Sequence, residues 1–257
     1  YVKLLTVAGL TGCFLFTSCR SAQETTARYE ISKVEGNMIT IDSTWDANPD
    51  KKATTVLKPY KDKVDAMMYE VIGTSEMKMD KGTPESLLSN LVASVLQEAA
   101  AQVLGKPADM GLVNMGGLRN ILPKGDITVG AVFEILPFEN SLCVLTMKGT
   151  DMKRLFKAIA SLHGEGVSGI RLEINKKGEL LNATIGGKPV VDDQLYTVAT
   201  IDYLADGNGR MDAFLQAEKR ECPEDATLRG LFLDYVRKQT AEGKIITSKL
   251  DGRITVK

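Results

Sequence analysis

A short loop near the middle of the chain carries groups that suit ligand binding. Residues 114–119 read Asn-Met-Gly-Gly-Leu-Arg and directly follow an apolar run. Gly116 and Gly117 have no side chains, so they leave backbone N–H groups accessible to a ligand. The amide of Asn114 suits a purine edge, and the guanidinium of Arg119 suits phosphate or ribose oxygens. The alternative is an ordinary glycine turn with Arg119 in a surface ion pair.

A second glycine-rich segment matches a dinucleotide-binding pattern but stands in the wrong context. Residues 164–169 read Gly-Glu-Gly-Val-Ser-Gly and satisfy GxGxxG letter for letter. That pattern needs a strand before it and a helix after it, whereas the apolar spacing here predicts the reverse order. We therefore predict a flexible connection. Ser168 also lacks a nucleophile elbow, because Ile170 occupies the last position of GxSxG.

Histidine and cysteine usage restricts the chemistry available to the chain. Its 257 residues include one histidine, His163, which we predict to lie in an exposed loop. Hydrolytic metal sites for phosphate esters usually draw on several imidazole and carboxylate ligands. We therefore predict no metal site, no cofactor and no catalytic residue in this chain. Cys143 and Cys222 show no metal-binding spacing, which favours free thiols or buried apolar groups.

Apolar periodicity and turn residues predict the elements that position these groups. The clearest helix is predicted to begin with Thr83 as its cap and Pro84 in its first turn, and to end at Gly105. Other helices are predicted at residues 53–68, 150–162, 210–217 and 226–239, and strands at 71–73, 110–113, 142–147, 170–174 and 195–201. Because no regular βαβ repeat occurs, we predict an α+β fold, with a mixed sheet and packed helices.

The first part of the chain resembles an export signal. Lys3 precedes an apolar stretch too short to span a membrane, and residues 16–19 read Phe-Thr-Ser-Cys, which resembles a bacterial lipobox. This resemblance implies cleavage before Cys19 and diacylation of its thiol. The alternative is a plain signal peptide cleaved near residues 21–22. Both export the protein, and the first predicts an outer-membrane or periplasmic bacterial lipoprotein that meets the membrane only through its lipid anchor.

Four segments are predicted in chain order. Residues 1–19 form the signal peptide with its lipobox, and residues 20–28 form a polar tether. Residues 29–70 are predicted to form a small β-hairpin around a Gly-Asn turn, followed by a helix. Residues 71–257 are predicted to form the main domain.

Four sequence blocks in this domain resemble a known family. They are residues 114–119, Lys-Gly-Asp-Ile-Thr-Val-Gly at 124–130, Ile-Leu-Pro-Phe-Glu-Asn at 135–140 and Tyr-Thr-Val-Ala-Thr-Ile-Asp-Tyr-Leu-Ala at 196–205. In this order and spacing they resemble the carboxy-terminal, substrate-binding domain of the 5'-nucleotidase family. The match extends more weakly over about residues 71–214. It implies a fold of the 5'-nucleotidase C-terminal-domain type.

The resemblance implies roles for particular residues in gripping a nucleotide or nucleoside. Phe138 and Tyr203 occupy the places of two aromatics that clamp the base, and stacking contributes roughly 1–3 kcal/mol per base. Asn114 resembles the residue that meets the base, and Arg119 the one that reaches ribose or phosphate. The alternative for the two aromatics is ordinary core packing. The net charge of −1 and the scattered Lys and Arg argue against a nucleic-acid polymer as a partner.

Departures from the family pattern put the ribose and phosphate contacts in doubt. Met115 stands where the family often has a further glycine, and Pro84 stands where an additional phosphate-binding arginine is common. Gly209 falls where an aspartate usually holds the ribose hydroxyls, which leaves Asp206 or Asn208 as substitutes.

Three hypotheses follow from the missing half of the family's architecture. The metallophosphatase half, with its Asp-x-His and Asn-His-Glu elements, has no counterpart in these 257 residues. The first hypothesis is a split 5'-nucleotidase, in which a separate metallophosphatase subunit supplies hydrolysis of nucleotide phosphate esters. The second is a non-catalytic nucleoside-binding surface lipoprotein. The third is an interaction module that kept the fold and lost the ligand.

Overall fold

The computed structural model describes residues 30–257, so the predicted signal, the tether and the lipidation site Cys19 lie outside the described residues. The chain divides into two compact units, residues 1–50 and residues 51–257. The helix predicted within residues 29–70 therefore belongs to the same compact unit as the predicted main domain.

The β-hairpin predicted before this helix is not found. Within residues 30–50 the structure has no strand, and the only regular element of that stretch is a 3₁₀ helix, Ser43–Ala47. The apolar side chains of the predicted strands, such as Ile31 and Met38, are exposed. An isolated pair of strands is at best marginally stable in water, and these side chains have no second layer to pack against.

The second unit contains seven α-helices and eleven strands. The helices are α1 (Lys51–Met68), α2 (Leu87–Ala99), α3 (Ala101–Leu104), α4 (Val129–Ile135), α5 (Gly149–Ser161), α6 (Asp202–Ala205) and α7 (Leu228–Ala241). The strands are β1 (Val71–Ser75), β2 (Met110–Val113), β3 (Gly125–Thr128), β4 (Leu142–Lys148), β5 (Gly166–Ser168), β6 (Ile170–Ile174), β7 (Leu180–Ile185), β8 (Lys188–Pro189), β9 (Leu195–Ile201), β10 (Lys219–Glu221) and β11 (Ile254–Val256).

The strands form three sheets, and the largest is mixed. Its order is β10-β4-β9-β2-β5, in which β2 and β9 are parallel and the other pairs antiparallel. A second sheet has the order β11-β6-β7-β8, and β1 pairs with β3. Helix α2 packs on β2 and β5. The predicted α+β fold is confirmed.

The main core helix begins later than its sequence predicts. The side chain of Ser86 accepts a hydrogen bond from the N–H of Ser89, so α2 starts at Leu87 rather than at Pro84. Glu85 therefore lies outside the helix. Its carboxylate accepts hydrogen bonds from Asn90 Nδ2 at 2.6 Å and from the backbone N–H of Asp251 at 3.0 Å. The predicted helix is divided, because α2 ends at Ala99 and Gly105, with a left-handed φ of 71°, caps the short helix α3 that follows.

Other boundaries also move. Helix α5 begins at Gly149, one residue before the predicted cap Thr150, and the predicted helix at residues 210–217 is replaced by two 3₁₀ helices, Asn208–Arg210 and Asp212–Gln216. Arg210, the first residue of the predicted helix, has a positive φ of 67°, which is incompatible with an α-helix at that position.

The GxGxxG segment is not the flexible connection that we predict from sequence. Gly166–Ser168 forms β5 at the edge of the large sheet, and all three residues are buried. The hydroxyl of Ser168 donates to the carbonyl of Ala93 in α2 at 2.9 Å. The glycines serve close packing here, since a Cβ on Gly166 would lie 2.6 Å from a methyl of Val113. The exposed position of His163 agrees with the prediction.

The prediction for the two cysteines was wrong. Cys143 in β4 and Cys222 after β10 form a disulfide. Neither spacing nor composition indicated this pairing, because 79 residues separate the two positions. Antiparallel pairing of β10 with β4 places Glu221 opposite Val144 and so brings the next residues together. Structural disulfides form and persist in oxidising compartments, which places the folded protein outside the cytoplasm.

Loss of this disulfide should lower stability. In a Cys143→Ala/Cys222→Ala variant we expect the free energy of unfolding to fall by about 2–4 kcal/mol, because the cross-link no longer restricts the unfolded chain. Urea unfolding of the oxidised wild type and the variant measures the difference. Dithiothreitol should reduce the stability of the wild type to the level of the variant and leave the variant unchanged. Equal stabilities under oxidising conditions would contradict the prediction.

Candidate ligand-binding cleft

Strand register brings three loops to one edge of the large sheet. In the antiparallel β4–β9 pair, Leu142 at the start of β4 faces Ile201 at the end of β9. The segment before β4 and the segment after β9 therefore leave the sheet at the same edge. Strand β2 runs parallel to β9, with Gly111 opposite Ala199, so the loop after β2 leaves at that edge too.

These three loops line a cleft of about 350 Å³. Its lining residues are Asn114, Gly116, Gly117, Phe138, Asn140 and Tyr203. Five of these six are among the residues singled out from sequence. The rings of Phe138 and Tyr203 are 48% and 43% exposed. Core packing therefore does not account for them, since core aromatics of this protein such as Phe156 are fully buried.

The first loop presents an amide without a partner. Residues Met115–Gly117 form a 3₁₀ turn closed by a hydrogen bond from the N–H of Gly117 to the carbonyl of Asn114, at 3.0 Å. Asn114 Oδ1 is buried and has no hydrogen-bond partner in the part of the chain that the structure describes. A Cβ on Gly117 would lie 2.9 Å from that oxygen, so glycine leaves the space that the amide needs. An unpaired buried acceptor favours a ligand that donates a hydrogen bond.

Arg119 stands beside the cleft. Its side chain is exposed, its Nη1 donates to the carbonyl of Gly116 at 3.3 Å, and its Cζ lies 6.0 Å from the centroid of the Phe138 ring. Among residues 30–257 no carboxylate forms an ion pair with it. The surface ion pair considered from sequence is therefore not formed, and the guanidinium is available to an anionic group.

Comparisons with known proteins agree with this arrangement. Residues 71–216, more than half of the chain, match the model of the 5'-nucleotidase C-terminal domain. The chain belongs to the 5'-nucleotidase C-terminal domain family. The resemblance stated from the four sequence blocks is thus confirmed.

Individual relatives are considerably longer than this chain. The chain is 28% identical over 188 residues to endonuclease YhcR of Bacillus subtilis, covering 70% of this chain and 15% of that protein. It is 27% identical over 240 residues to cell wall protein Lmo0130 of Listeria monocytogenes, covering 82% of this chain and 30% of that protein. A 5'-nucleotidase precursor from Thermus thermophilus has a solved structure that matches with a TM-score of 0.68 and 26% identity, over 82% of this chain and 44% of that one.

Positions expected to hold ribose and phosphate do not line the cleft of this 5'-nucleotidase C-terminal domain. Asn208 lies in the exposed 3₁₀ helix Asn208–Arg210 and is not among the residues that line the cleft, so its predicted contact with ribose stays a prediction. Asp206, the other substitute, is engaged by Arg220 at 2.6 Å. The backbone of Pro84 packs against Gly164, where a Cβ would lie 2.3 Å from the Pro84 carbonyl oxygen.

Two residues of the site escaped the sequence analysis. Asn140 lines the cleft and ends the Leu-Pro-Phe-Glu-Asn block, so its position in that block was an available signal. Glu165 precedes β5, which faces the end of β2, and its carboxylate accepts a hydrogen bond from the N–H of Met115. No sequence pattern indicated that contact, because it depends on the pairing of β2 with β5.

Glu165 has a buried carboxyl group that hydrogen-bonds to the first loop, residues 114–119. It is 9% exposed, and burial raises its pKa to about 7, against the opposing effect of the Met115 hydrogen bond. No charged side chain in the described ranges contributes to this shift. The carboxyl therefore changes charge near neutral pH, in hydrogen-bonding contact with the loop that begins at Asn114.

The described residues do not fit a metal ion. Within residues 30–257 no group of three or more His, Cys, Asp or Glu side chains is arranged to hold one. The metal chemistry that the wider family architecture implies therefore has no ligand set in this part of the chain. That the chain uses no cofactor stays a prediction.

A Glu165→Gln variant should change the pH dependence of stability. The folded-state pKa of about 7 lies above the ordinary value of 4.5, so the folded wild type retains a proton that the unfolded chain releases between these values. The stability contributed by that proton is fully present below about pH 4.5 and is lost as the pH rises through 7. From pH 5 to pH 8 the wild type should lose up to about 3 kcal/mol relative to the variant.

Urea unfolding at a series of pH values measures this effect. The exposed carboxylate of Glu76 provides the matched control, and Glu76→Gln should leave the shape of the wild-type profile unchanged. Parallel profiles for the wild type and Glu165→Gln would show that Glu165 is ionised at all these pH values and would contradict the assignment.

Proposed function

We propose that this chain recognises a nucleoside or nucleotide and acts as the substrate-binding half of a 5'-nucleotidase, with hydrolysis of the phosphate ester supplied by a separate metallophosphatase chain. The observation that carries the recognition step is the cleft, in which two half-exposed aromatic rings and an unpaired amide line one space of about 350 Å³. Sites for small organic ligands typically combine such apolar walls with a few polar groups.

Each lining residue has a role in this proposal. The rings of Phe138 and Tyr203 stack on the two faces of a base, an arrangement that tolerates different bases because every base has a π-face. The amide of Asn114 hydrogen-bonds to the base edge, and exchange of its oxygen and nitrogen by rotation lets it meet a donor or an acceptor. Arg119 reaches a ribose or phosphate oxygen from the rim.

Calorimetric titration of the full chain with adenosine and AMP tests the clamp. We expect saturable binding of adenosine, and we expect Phe138→Ala and Tyr203→Ala each to weaken it by about 5- to 150-fold, which corresponds to roughly 1–3 kcal/mol of stacking. Tyr60→Ala in helix α1 is the matched control, because Tyr60 is similarly exposed but does not line the cleft. No heat from either ligand, or equal losses in all three variants, would refute the clamp.

The AMP titration separates this proposal from a stand-alone binder. A non-catalytic nucleoside-binding lipoprotein is the second candidate, favoured by Asp206 being held by Arg220 and by Pro84 standing at the phosphate side. Tighter binding of AMP than of adenosine, lost in Arg119→Gln, supports a phosphate grip and the nucleotidase half. Equal affinities favour the nucleoside binder.

The split enzyme makes a further prediction about hydrolysis. Its support is that no cluster of metal-ligating side chains occurs within residues 30–257. We expect no phosphate release from AMP and manganese with the purified chain alone. Co-expression with a metallophosphatase chain from the same genome should give a stable complex that releases phosphate. In that complex Phe138→Ala should raise KM about tenfold or more, through lost stacking.

Two outcomes would refute the split enzyme. One is phosphate release by the chain alone at the rate of the complex. The other is that, when every metallophosphatase chain of the same genome is co-expressed with this chain, none binds it and none changes its activity. Tyr60→Ala again serves as the control variant, since its exposed ring lies outside the cleft.

We also propose that the mature protein is an exported bacterial lipoprotein held in the outer membrane or facing the periplasm by acyl chains on Cys19. The lipobox-like residues 16–19 motivate the anchor. The Cys143–Cys222 disulfide and the similarity to a cell wall protein support an extracytoplasmic location.

A further inference from the structure

The segment that carries Phe138 has no regular secondary structure of its own. Helix α4 ends at Ile135 and strand β4 begins at Leu142, so residues 136–141 rely on contacts with other elements to hold the ring at the cleft. A half-exposed phenylalanine on an unsupported loop would sample many positions, and ordering it on binding would weaken affinity.

One buried arginine from helix α7 contacts this segment on both sides of Phe138. Arg229 is 8% exposed, and its Nη1 donates to the carbonyls of Leu136 and Pro137, each at 3.2 Å. Its Nη2 pairs with the carboxylate of Glu139. The residues immediately before and immediately after the ring are therefore bound to the same guanidinium.

The guanidinium is itself held in place. Its Cζ lies 4.1 Å from the centroid of the Phe133 ring in α4, a cation–π contact within the usual range. The first turn of α7 is also fixed to the end of the segment, because the N–H of Leu228 donates to the carbonyl of Asn140 at 2.8 Å. Arginine suits this position because its planar fork supplies several donors in fixed directions, which a lysine ammonium cannot reproduce.

We propose that Arg229 is the positioning residue for Phe138, and that it orders the ring in the cleft before a ligand arrives. The proposal rests on the proposed nucleoside-binding function and deepens it. Arg229 lies beyond residues 71–216, which match the family model, so the wall of the cleft depends on a part of the chain outside that match. Without the guanidinium, the carbonyls of Leu136 and Pro137 lose their donor and the segment loosens.

The chain contains a closely matched control arginine. Arg253 is also largely buried, its Nη1 donates to the carbonyls of Asn90 and Val167 at 2.9 and 2.7 Å, and its Nε pairs with Asp251 at 3.1 Å. It too joins two carbonyls and one carboxylate, but none of its three partners lies in residues 136–141. Arg229→Gln and Arg253→Gln therefore remove equivalent sets of contacts, of which only the first set borders Phe138.

The test compares these variants with and without ligand in the full chain. Phenylalanine-selective ¹³C labelling, with the Phe138 signal assigned through Phe138→Leu, reports on the ring in the free protein. We expect Arg229→Gln to move the Phe138 signal toward that of a mobile, solvent-exposed ring and to weaken adenosine binding by about tenfold. Arg253→Gln should lower the thermal midpoint to a similar degree while leaving the Phe138 signal and the affinity unchanged.

A milder substitution covers the case in which Arg229→Gln does not fold. Arg229→Lys keeps the charge but loses the fork, and we expect it to produce the same change in the Phe138 signal with a smaller loss of stability. An unchanged Phe138 signal in a folded Arg229 variant overturns the proposal, as does an equal loss of affinity in Arg253→Gln. If the wild type binds no adenosine, the proposed function fails, and the signal of the free protein still decides whether Arg229 positions the ring.

Discussion

The pairing of β9 with β4 on one side and β2 on the other is the constraint on which the rest of the site depends. It places the end of β9, the start of β4 and the end of β2 at one edge of the sheet. Hydrogen bonds extend both pairings toward this edge. The N–H of Asp202, just after β9, donates to the carbonyl of Ser141, just before β4, at 2.9 Å. Thr200 Oγ1 in β9 donates to the carbonyl of Leu112 in β2 at 3.0 Å. A shift of one residue in either pair would turn every side chain of the shifted strand to the opposite face and displace the loops that carry Phe138 and Tyr203.

Polar side-chain contacts then set the positions of the loops that leave the sheet at this edge. Glu165 holds the N–H of Met115 from below, Lys81 donates to the carbonyl of Leu118, and Arg229 holds the segment that carries Phe138. The carboxyl of Glu165 and the guanidinium of Arg229 are buried, and a buried polar group is costly unless it is hydrogen-bonded, so these two contacts tie their loops to one arrangement. The cleft is thus walled by apolar rings, and its loops are fixed by polar side chains that come from parts of the chain distant in sequence.

The amino-acid sequence predicted the strands that build this edge and five of the six cleft residues, because apolar runs and the four blocks are local signals. It did not predict the Cys143–Cys222 disulfide, the burial of β5 or the contact of Glu165 with Met115, because each depends on which strands pair. The hairpin expected within residues 29–41 failed for the opposite reason. Its local pattern was adequate, but the exposed side chains have no second layer against which a strand pair gains stability.

The polar groups of the cleft are unevenly distributed, and this distribution determines which parts of a ligand contribute to the binding free energy. Asn114 offers a buried oxygen with no partner in the described part of the chain, next to two aromatic rings. On the ribose side, by contrast, Asp206 is already paired with Arg220, and Asn208 lies outside the cleft. Under the proposed function, most of the binding free energy therefore comes from stacking and one amide contact, with Arg119 as the one guanidinium beside the rings. Such a site distinguishes a base from other small molecules mainly through stacking, and its discrimination of a nucleotide from a nucleoside rests on Arg119.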